Sequence, residues 1–162
     1  PYASVEPIIA GSKISLKTDV AKLSIVKNKK TIEKIAKPLT VHYESFISVS
    51  ESINSMTLIF DQLILEKMKS AFGNENMLEV ESNLAAIIVQ SPEEIIKTPA
   101  CALIFYNQLA RRHVNIEDTI SCYTDTIMLV SMSDVAKAFN ALNELITESR
   151  KSSGKTKSRS KN

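Results

Sequence analysis

Polar side chains that could hold a small zwitterionic ligand cluster between residues 48 and 54. The cluster combines serine hydroxyls, a carboxylate and a carboxamide: Ser48, Ser50, Glu51, Ser52 and Asn54. Hydroxyls and backbone amides of such a turn can hold the ammonium and carboxylate groups of an amino acid, and Glu51 or Glu44 can add a counter-charge. A polar turn can equally satisfy its own backbone. The segment is therefore a candidate binding site with a purely structural alternative.

Nucleophilic, metal and phosphate chemistry lack the residues they need. His42 and His113 are the only histidines, and no Ser-His-Asp, Cys-His or His-Glu-x-x-His spacing occurs. Three glycines are too few for a phosphate-binding loop, and a zinc site needs more Cys or His. Cys101 and Cys122 are typical of reduced thiols in a cytosolic protein. We expect a non-enzymatic protein without cofactor or metal.

Charge is unevenly distributed along the chain. From Ser149 onward there are six basic residues and no acidic ones, so the remainder carries a net charge of −4 against +2 for the whole. An acidic body does not favour nucleic-acid binding. The tail is typical of a disordered, solubilising segment, although it could bind an anionic polymer weakly. No apolar run approaches the roughly 20 residues of a membrane span, and no signal peptide is expected. We predict a cytoplasmic globular protein.

The first half of the chain alternates between strand and helix periodicity. Its elements are predicted as strand, helix, strand, strand, helix and strand at residues 20–27, 31–39, 41–49, 56–60, 63–72 and 77–80. Pro38 is expected to limit the first helix to about two turns, and Gly73 to end the second. Residues 1–18 are expected to form a lead-in segment or an edge strand.

The second half repeats this plan. Its elements are predicted as strand, helix, strand, strand and helix at residues 84–90, 100–112, 114–120, 127–130 and 134–146. In the first helix, we expect Leu103, Ile104 and Leu109 to face the protein core. Asp134 is expected to cap the second helix. Residues 60–72 align with residues 130–142 at a shift of 70. A mixed repeat of this length predicts two copies of one compact unit.

Local residues add a resemblance to this repeat. Residues 46–61 form a Ser-rich strand and turn that run into an alternating strand ending in Asp61. This stretch resembles the signature of the aspartokinase-type ACT domain. Residues 100–109, followed by Val114-Asn115-Ile116-Glu117, resemble the helix and strand entry of the same family. The resemblance covers residues 19–147, and no kinase catalytic domain accompanies it.

The resemblance implies an α+β fold of two ferredoxin-like βαββαβ units, each with an antiparallel four-stranded sheet and helices on one face. The units are placed at residues 19–81 and 82–148, followed by the basic tail 149–162. A regulatory homodimer is expected, with an amino-acid effector at an interface between units. The ligand-binding residues implied are Asn28, Ser48, Ser50, Glu51, Ser52 and Asn54 in the first unit and Asn115, Glu117 and Asp118 in the second.

Two alternatives stay open. ACT modules that bind amino acids usually carry a glycine between the first strand and helix, which permits close backbone approach to the ligand. The matching stretches, residues 28–30 and 98–100, contain none, and Pro99 also removes an amide donor. A ligand-free dimerisation or interaction module is therefore one alternative. The C-terminal regulatory part of a transcription regulator is the other.

Overall fold

The computed structural model describes residues 2–98 and 100–159, with side chains described from Val5 to Gly154 except at Pro99. Five α-helices are present: α1 Tyr2–Ala10, α2 Lys29–Val41, α3 Leu65–Phe72, α4 Cys101–Arg111 and α5 Val135–Arg159. Six strands accompany them: β1 Lys13–Val26, β2 Ile47–Glu51, β3 Ser55–Asp61, β4 Met77–Gln90, β5 Asp118–Cys122 and β6 Asp125–Ser131. The predicted α+β class is confirmed.

The strands hydrogen-bond in the order β2-β3-β1-β4-β6-β5, so the prediction of two separate four-stranded sheets is wrong in this detail. The cause is the length of β1 and β4, which have 14 residues each. Asp19 and Asn83 interrupt these strands with φ angles of 55° and 57°. A residue in this region of φ breaks the side-chain alternation of a strand, which made each long strand resemble two short ones in the sequence.

The chain divides into two compact units. The central unit is Thr18–Leu84, and the terminal unit combines the residues up to Lys17 with those from Ala85 onward. Residues 2–10, which were expected in an extended lead-in, form α1, and Ile8 and Ile9 are buried in the terminal unit's core. In the tail, residues 149–159 continue α5, whereas residues 160–162 lie outside the described part of the chain.

The core of the central unit lies between its strands and the pair α2 and α3. Its buried members are Ala21, Leu23, Ile25, Met56, Leu58, Phe60, Met68 and Phe72. Strand β3 pairs antiparallel with both β1 and β2. Helix α3 ends at Gly73, whose φ of 82° suits glycine.

Two expectations for the central unit are wrong. Helix α2 does not stop after two turns but runs through Pro38 to Val41. Pro38 lies close to the C-terminal end, where its missing N–H removes a single helical bond, and its ring is buried. The predicted strand 41–49 shrinks to β2, because Val41 ends the helix and Tyr43 is 75% exposed in the connection.

The core of the terminal unit lies between its strands and the helices α1, α4 and α5. Phe105 and Leu109 of α4 are fully buried, whereas Leu103, expected inside, is 57% exposed. Strand β5 begins at Asp118, so Val114 is buried in the preceding loop rather than in a strand. Ser131, not Asp134, provides the side-chain cap at the turn that leads into α5. Across the described residues, no helix combines the length and apolarity required to cross a bilayer.

The two thiols provide a chemical check on this packing. Cys101 is buried in the terminal core, and burial raises the pKa of its thiol, whereas Cys122 is exposed. Thiolate is the reactive form, so Cys122 is expected to react with an aromatic disulfide reagent at least about tenfold faster than Cys101 at neutral pH. The reaction should therefore show a fast and a slow phase, and comparing the Cys122→Ser and Cys101→Ser variants assigns each phase to one thiol. Equal rates would contradict the placement of Cys101.

Candidate functional site

Each unit contains the same polar corner, where the loop after a core strand meets a hairpin turn. In the central unit, the backbone N–H of Lys27 donates to the carbonyl of Asn54 at 2.9 Å. In the terminal unit, the N–H of Ser91 donates to the carbonyl of Thr124 at 3.1 Å. Asn54 and Thr124 are 70 residues apart, as the repeat predicts. We refer to these places as the central corner and the terminal corner.

The central corner brings a cation to several of the predicted binding residues. The ammonium of Lys27 lies 3.4 Å from a carboxylate oxygen of Glu51 and donates to the carbonyl of Ser52 at 3.3 Å. Both side chains are partly exposed, so the ion pair stabilises the fold by at most about 1 kcal/mol. Lys27 was missed in the sequence, where only its position directly after a strand and beside the polar turn distinguishes it.

The side chain of Asn28 is occupied by its own helix. Its amide oxygen accepts from the N–H of Thr31 at 3.0 Å, and the hydroxyl of Thr31 accepts from the N–H of Asn28 at 2.9 Å. This reciprocal capping box satisfies donors of the first turn of α2. The central corner is therefore closed to a ligand carboxylate at this helix end unless the cap opens.

Ser48 and Ser50 do not join the corner. Their neighbours Ile47 and Val49 pack against the central core, and side chains alternate along a strand. Ser48 and Ser50 consequently lie on the other face of the sheet, where Ser50 is paired with Thr57. The predicted cluster is thus divided: Glu51, Ser52 and Asn54 border the corner, and the two serines of β2 do not.

The residues predicted for the second unit lie away from the terminal corner. Asn115, Glu117 and Asp118 precede or begin β5, whereas the corner lies at its other end. The carboxamide of Asn115 donates to Glu117 at 2.8 Å, and the backbone N–H of Glu117 donates to the carbonyl of Leu129 at 2.8 Å. These hydrogen bonds stabilise the chain where it enters β5.

A cavity of about 350 Å³ occupies the terminal corner. It is lined by hydroxyl, apolar and acidic side chains: Ile95, Ile96, Thr98, Ala102, Ser121, Tyr123, Thr124, Asp125 and Thr126. Asp125 is the one charged residue among them. Ala102 belongs to the first turn of α4, and Ala100 gives that helix no side-chain cap. The backbone N–H of Cys101, at the start of α4, donates to the carbonyl of Thr98 at 3.0 Å. The terminal corner therefore offers one space a carboxylate and a helix end that lacks a side-chain cap.

Tyr123 at this cavity is held by an acidic neighbour. Its phenol donates a hydrogen bond to the carboxylate of Glu93, and this bond, followed by desolvation, raises the pKa of Tyr123. The phenol consequently stays protonated through the physiological range. Sequence inspection missed this cavity because its lining comes from two separate stretches, residues 95–102 and 121–126.

The histidines lie at the ends of helices. Among the residues that the structure describes, no group of three or more His, Cys, Asp or Glu is placed to hold a metal ion. His42 ends α2, and His113 follows α4 with a φ of 56°.

Comparison with known proteins locates the fold. No protein-family model and no curated protein matches the sequence significantly. The structure is similar to aspartate kinase from Clostridium acetobutylicum, with a TM-score of 0.64 at 19% identity over 82% of this chain and 34% of that one. It is similar to the ligand-free regulatory subunit of aspartate kinase from Thermus thermophilus, with a TM-score of 0.66 at 11% identity over 82% and 97%. It is also similar to a Vibrio cholerae protein of unknown function, a possible transport protein, with a TM-score of 0.60 at 14% identity over 89% of this chain and 97% of that one.

These similarities show the fold. The predicted aspartokinase-type ACT fold is confirmed, because regulatory subunits of aspartate kinase match over most of this chain. The chain spans about a third of the length of the Clostridium enzyme but nearly all of the Thermus regulatory subunit. The matched Thermus chains are regulatory subunits.

Proposed function

We propose that this chain is a non-catalytic regulatory module that binds a free amino acid in the cavity of the terminal corner. The observation that carries the proposal is the cavity shared by the first turn of α4, which has no side-chain cap, and the carboxylate of Asp125. The fold supports it, since the similar regulatory subunits belong to aspartate kinases. The similar aspartate kinase from Clostridium acetobutylicum is an allosteric enzyme.

The two ends of an amino acid match the two ends of this cavity. The backbone N–H groups at a helix N-terminus favour a carboxylate, through hydrogen bonds and the helix dipole. Asp125 provides the opposite charge for the ammonium group. Ile95, Ile96 and Ala102 supply apolar surface for the ligand side chain. These features favour a small or medium-sized apolar amino acid.

The central corner is the natural comparison, since it has the same backbone connection but different chemistry. The capping box of Asn28 and Thr31 satisfies the N–H groups that a ligand carboxylate would need. Lys27 and Glu51 already neutralise each other. We therefore assign the effector to the terminal corner, and Asn28, Glu51, Ser52 and Asn54 to structural roles in the central corner.

Isothermal titration of the full chain with each of the standard amino acids tests this assignment. We expect saturable heat with one of them or a few of similar size. Asp125→Asn should weaken that binding by at least about tenfold, because a charge-assisted hydrogen bond to the ammonium is lost. Glu51→Gln, a matched change in the central corner, should leave the affinity unchanged.

Two results would overturn the proposal. The absence of a binding heat with every amino acid would contradict effector binding and favour the ligand-free interaction module. Binding that survives Asp125→Asn but is lost with Glu51→Gln would contradict the terminal corner as the site.

A further inference from the structure

An open groove lies on the outer side of the central unit between α2 and α3. Its volume is about 550 Å³. Pro38, Met68 and Ala71 contribute to its apolar part together with Val41, which is 62% exposed. This groove is separate from both corners, and neither the capping box nor the Lys27–Glu51 pair contributes to it.

The edge of the groove is basic. Lys34 and Lys37 line it from α2, and Lys67 lines it from α3. Within the described part of the chain, none of these three lysines forms an ion pair. Glu33 is the one acidic residue in the lining. The groove therefore combines an apolar floor with an excess of uncompensated positive charge.

The terminal unit shows what covers the corresponding place in its own copy of the fold. At the shift of 70, Lys34, Lys37 and Val41 correspond to Ile104, Asn107 and Arg111 of α4. These three residues line a shared pocket with Val5 and Ile9 of helix α1. Val5 and Ile9 are buried in the terminal core. Helix α1 thus packs beside the equivalent face of α4.

The central unit has no such cover among its described residues. Helix α3 ends at Gly73, whereas α5 continues past the equivalent Leu142 and holds α1 through Arg150. The guanidinium of Arg150 donates to the carbonyls of Ala10 at 2.9 Å and Ser12 at 2.8 Å. The extended helix with Arg150, which holds α1 in the terminal unit, therefore has no counterpart among the described residues of the central unit.

We propose that the groove between α2 and α3 is the docking site for an amphipathic helix of a partner protein, with acidic residues beside its apolar stripe. The apolar stripe covers the exposed Val41 and Ala71 above the buried Met68, and the acidic residues pair with Lys34, Lys37 and Lys67. Helix-in-groove recognition reads residues at i, i+3, i+4 and i+7 in this manner. The charge of the groove selects the sign of the partner helix.

A labelled synthetic helix tests the proposal with the full chain. The probe carries leucines at i, i+3, i+4 and i+7 with glutamates between them, and a second probe carries lysines in place of the glutamates. Fluorescence anisotropy should show saturable binding of the glutamate probe and binding of the lysine probe weaker by about tenfold or more. Lys37→Glu and Val41→Asp should each reduce the affinity for the glutamate probe by about tenfold, and both positions are exposed enough to preserve folding.

The matched control is Lys30→Glu, which makes the same charge change on α2 outside the groove and should leave the affinity within about twofold. Equal binding of the two probes, or equal loss with Lys30→Glu and Lys37→Glu, would overturn the inference. So would the absence of saturable binding. Preferential binding of the chain to phosphatidylglycerol vesicles, lost with Lys37→Glu, would instead assign the groove to a lipid surface and reject a protein helix.

Discussion

Phe105→Ala is expected to lower the free energy of unfolding by about 3–5 kcal/mol, the range observed when a buried aromatic side chain is truncated. Phe105 has no exposed surface and belongs to the cluster that joins α1, α4 and α5 to the sheet. Truncation loses the transfer free energy of the ring and leaves a cavity that close-packed neighbours fill only in part. Urea unfolding followed by circular dichroism measures the change, since the chain has no tryptophan.

The control lies on the same helix. Leu103 is 57% exposed, so Leu103→Ala should change the free energy of unfolding by less than about 0.5 kcal/mol. The pair distinguishes the observed burial from the pattern expected in the sequence, which placed Leu103 inside. Comparable losses in the two variants would show that α4 presents a different face to the core.

Thr31→Val is the second substitution with a large expected effect, at about 2–4 kcal/mol of destabilisation. The fully buried hydroxyl of Thr31 donates to the carbonyl of Val26 at 2.7 Å and accepts from the N–H of Asn28 at 2.9 Å. Valine has nearly the same shape but no hydroxyl. The substitution therefore leaves a carbonyl and an amide without their partner while the packing volume stays constant.

Thr40→Val provides the comparison for this position. Thr40 lies on the same helix, and its hydroxyl donates to the carbonyl of Ala36 at 2.8 Å, but it is exposed. Water can replace that bond, so we expect Thr40→Val to change the free energy of unfolding, measured by urea unfolding, by less than about 0.5 kcal/mol. If Thr31→Val were equally mild, the capping box could not be what organises the start of α2.

The elements that the sequence predicted well have strong local signals. Strand β3 alternates through Met56, Leu58 and Phe60, and Gly73 ends α3 as expected. Signals that depend on the rest of the fold were misread. Pro38 is tolerated inside α2 because it lies near the C-terminal end of the helix, where its missing N–H removes a single helical bond. Leu103 has the right hydrophobicity for the core, but the packing of α4 selects Phe105 instead.

The candidate site was harder to predict than the fold. The polar turn 51–54 was found because serine and asparagine are typical of such turns, and it does border the central corner. The terminal cavity depends on residues as distant as Thr98 and Asp125, which only the folded sheet brings together. The missing side-chain cap of α4 was also not recognised, because its N-cap residue, Ala100, was placed inside the predicted helix 100–112.

The order of residues in the two units has a consequence for biosynthesis. Residues 18–84 are contiguous, so the central unit forms from one continuous stretch of chain, whereas α1 packs against α4 and α5, which are synthesised later. Closing a flexible 67-residue loop between Lys17 and Ala85 costs on the order of 4 kcal/mol of chain entropy. If the central unit folds first, the segment between α1 and α4 is no longer a flexible loop, and much of this entropy cost is removed. Folding of the central unit before α1 docks is therefore the favoured order.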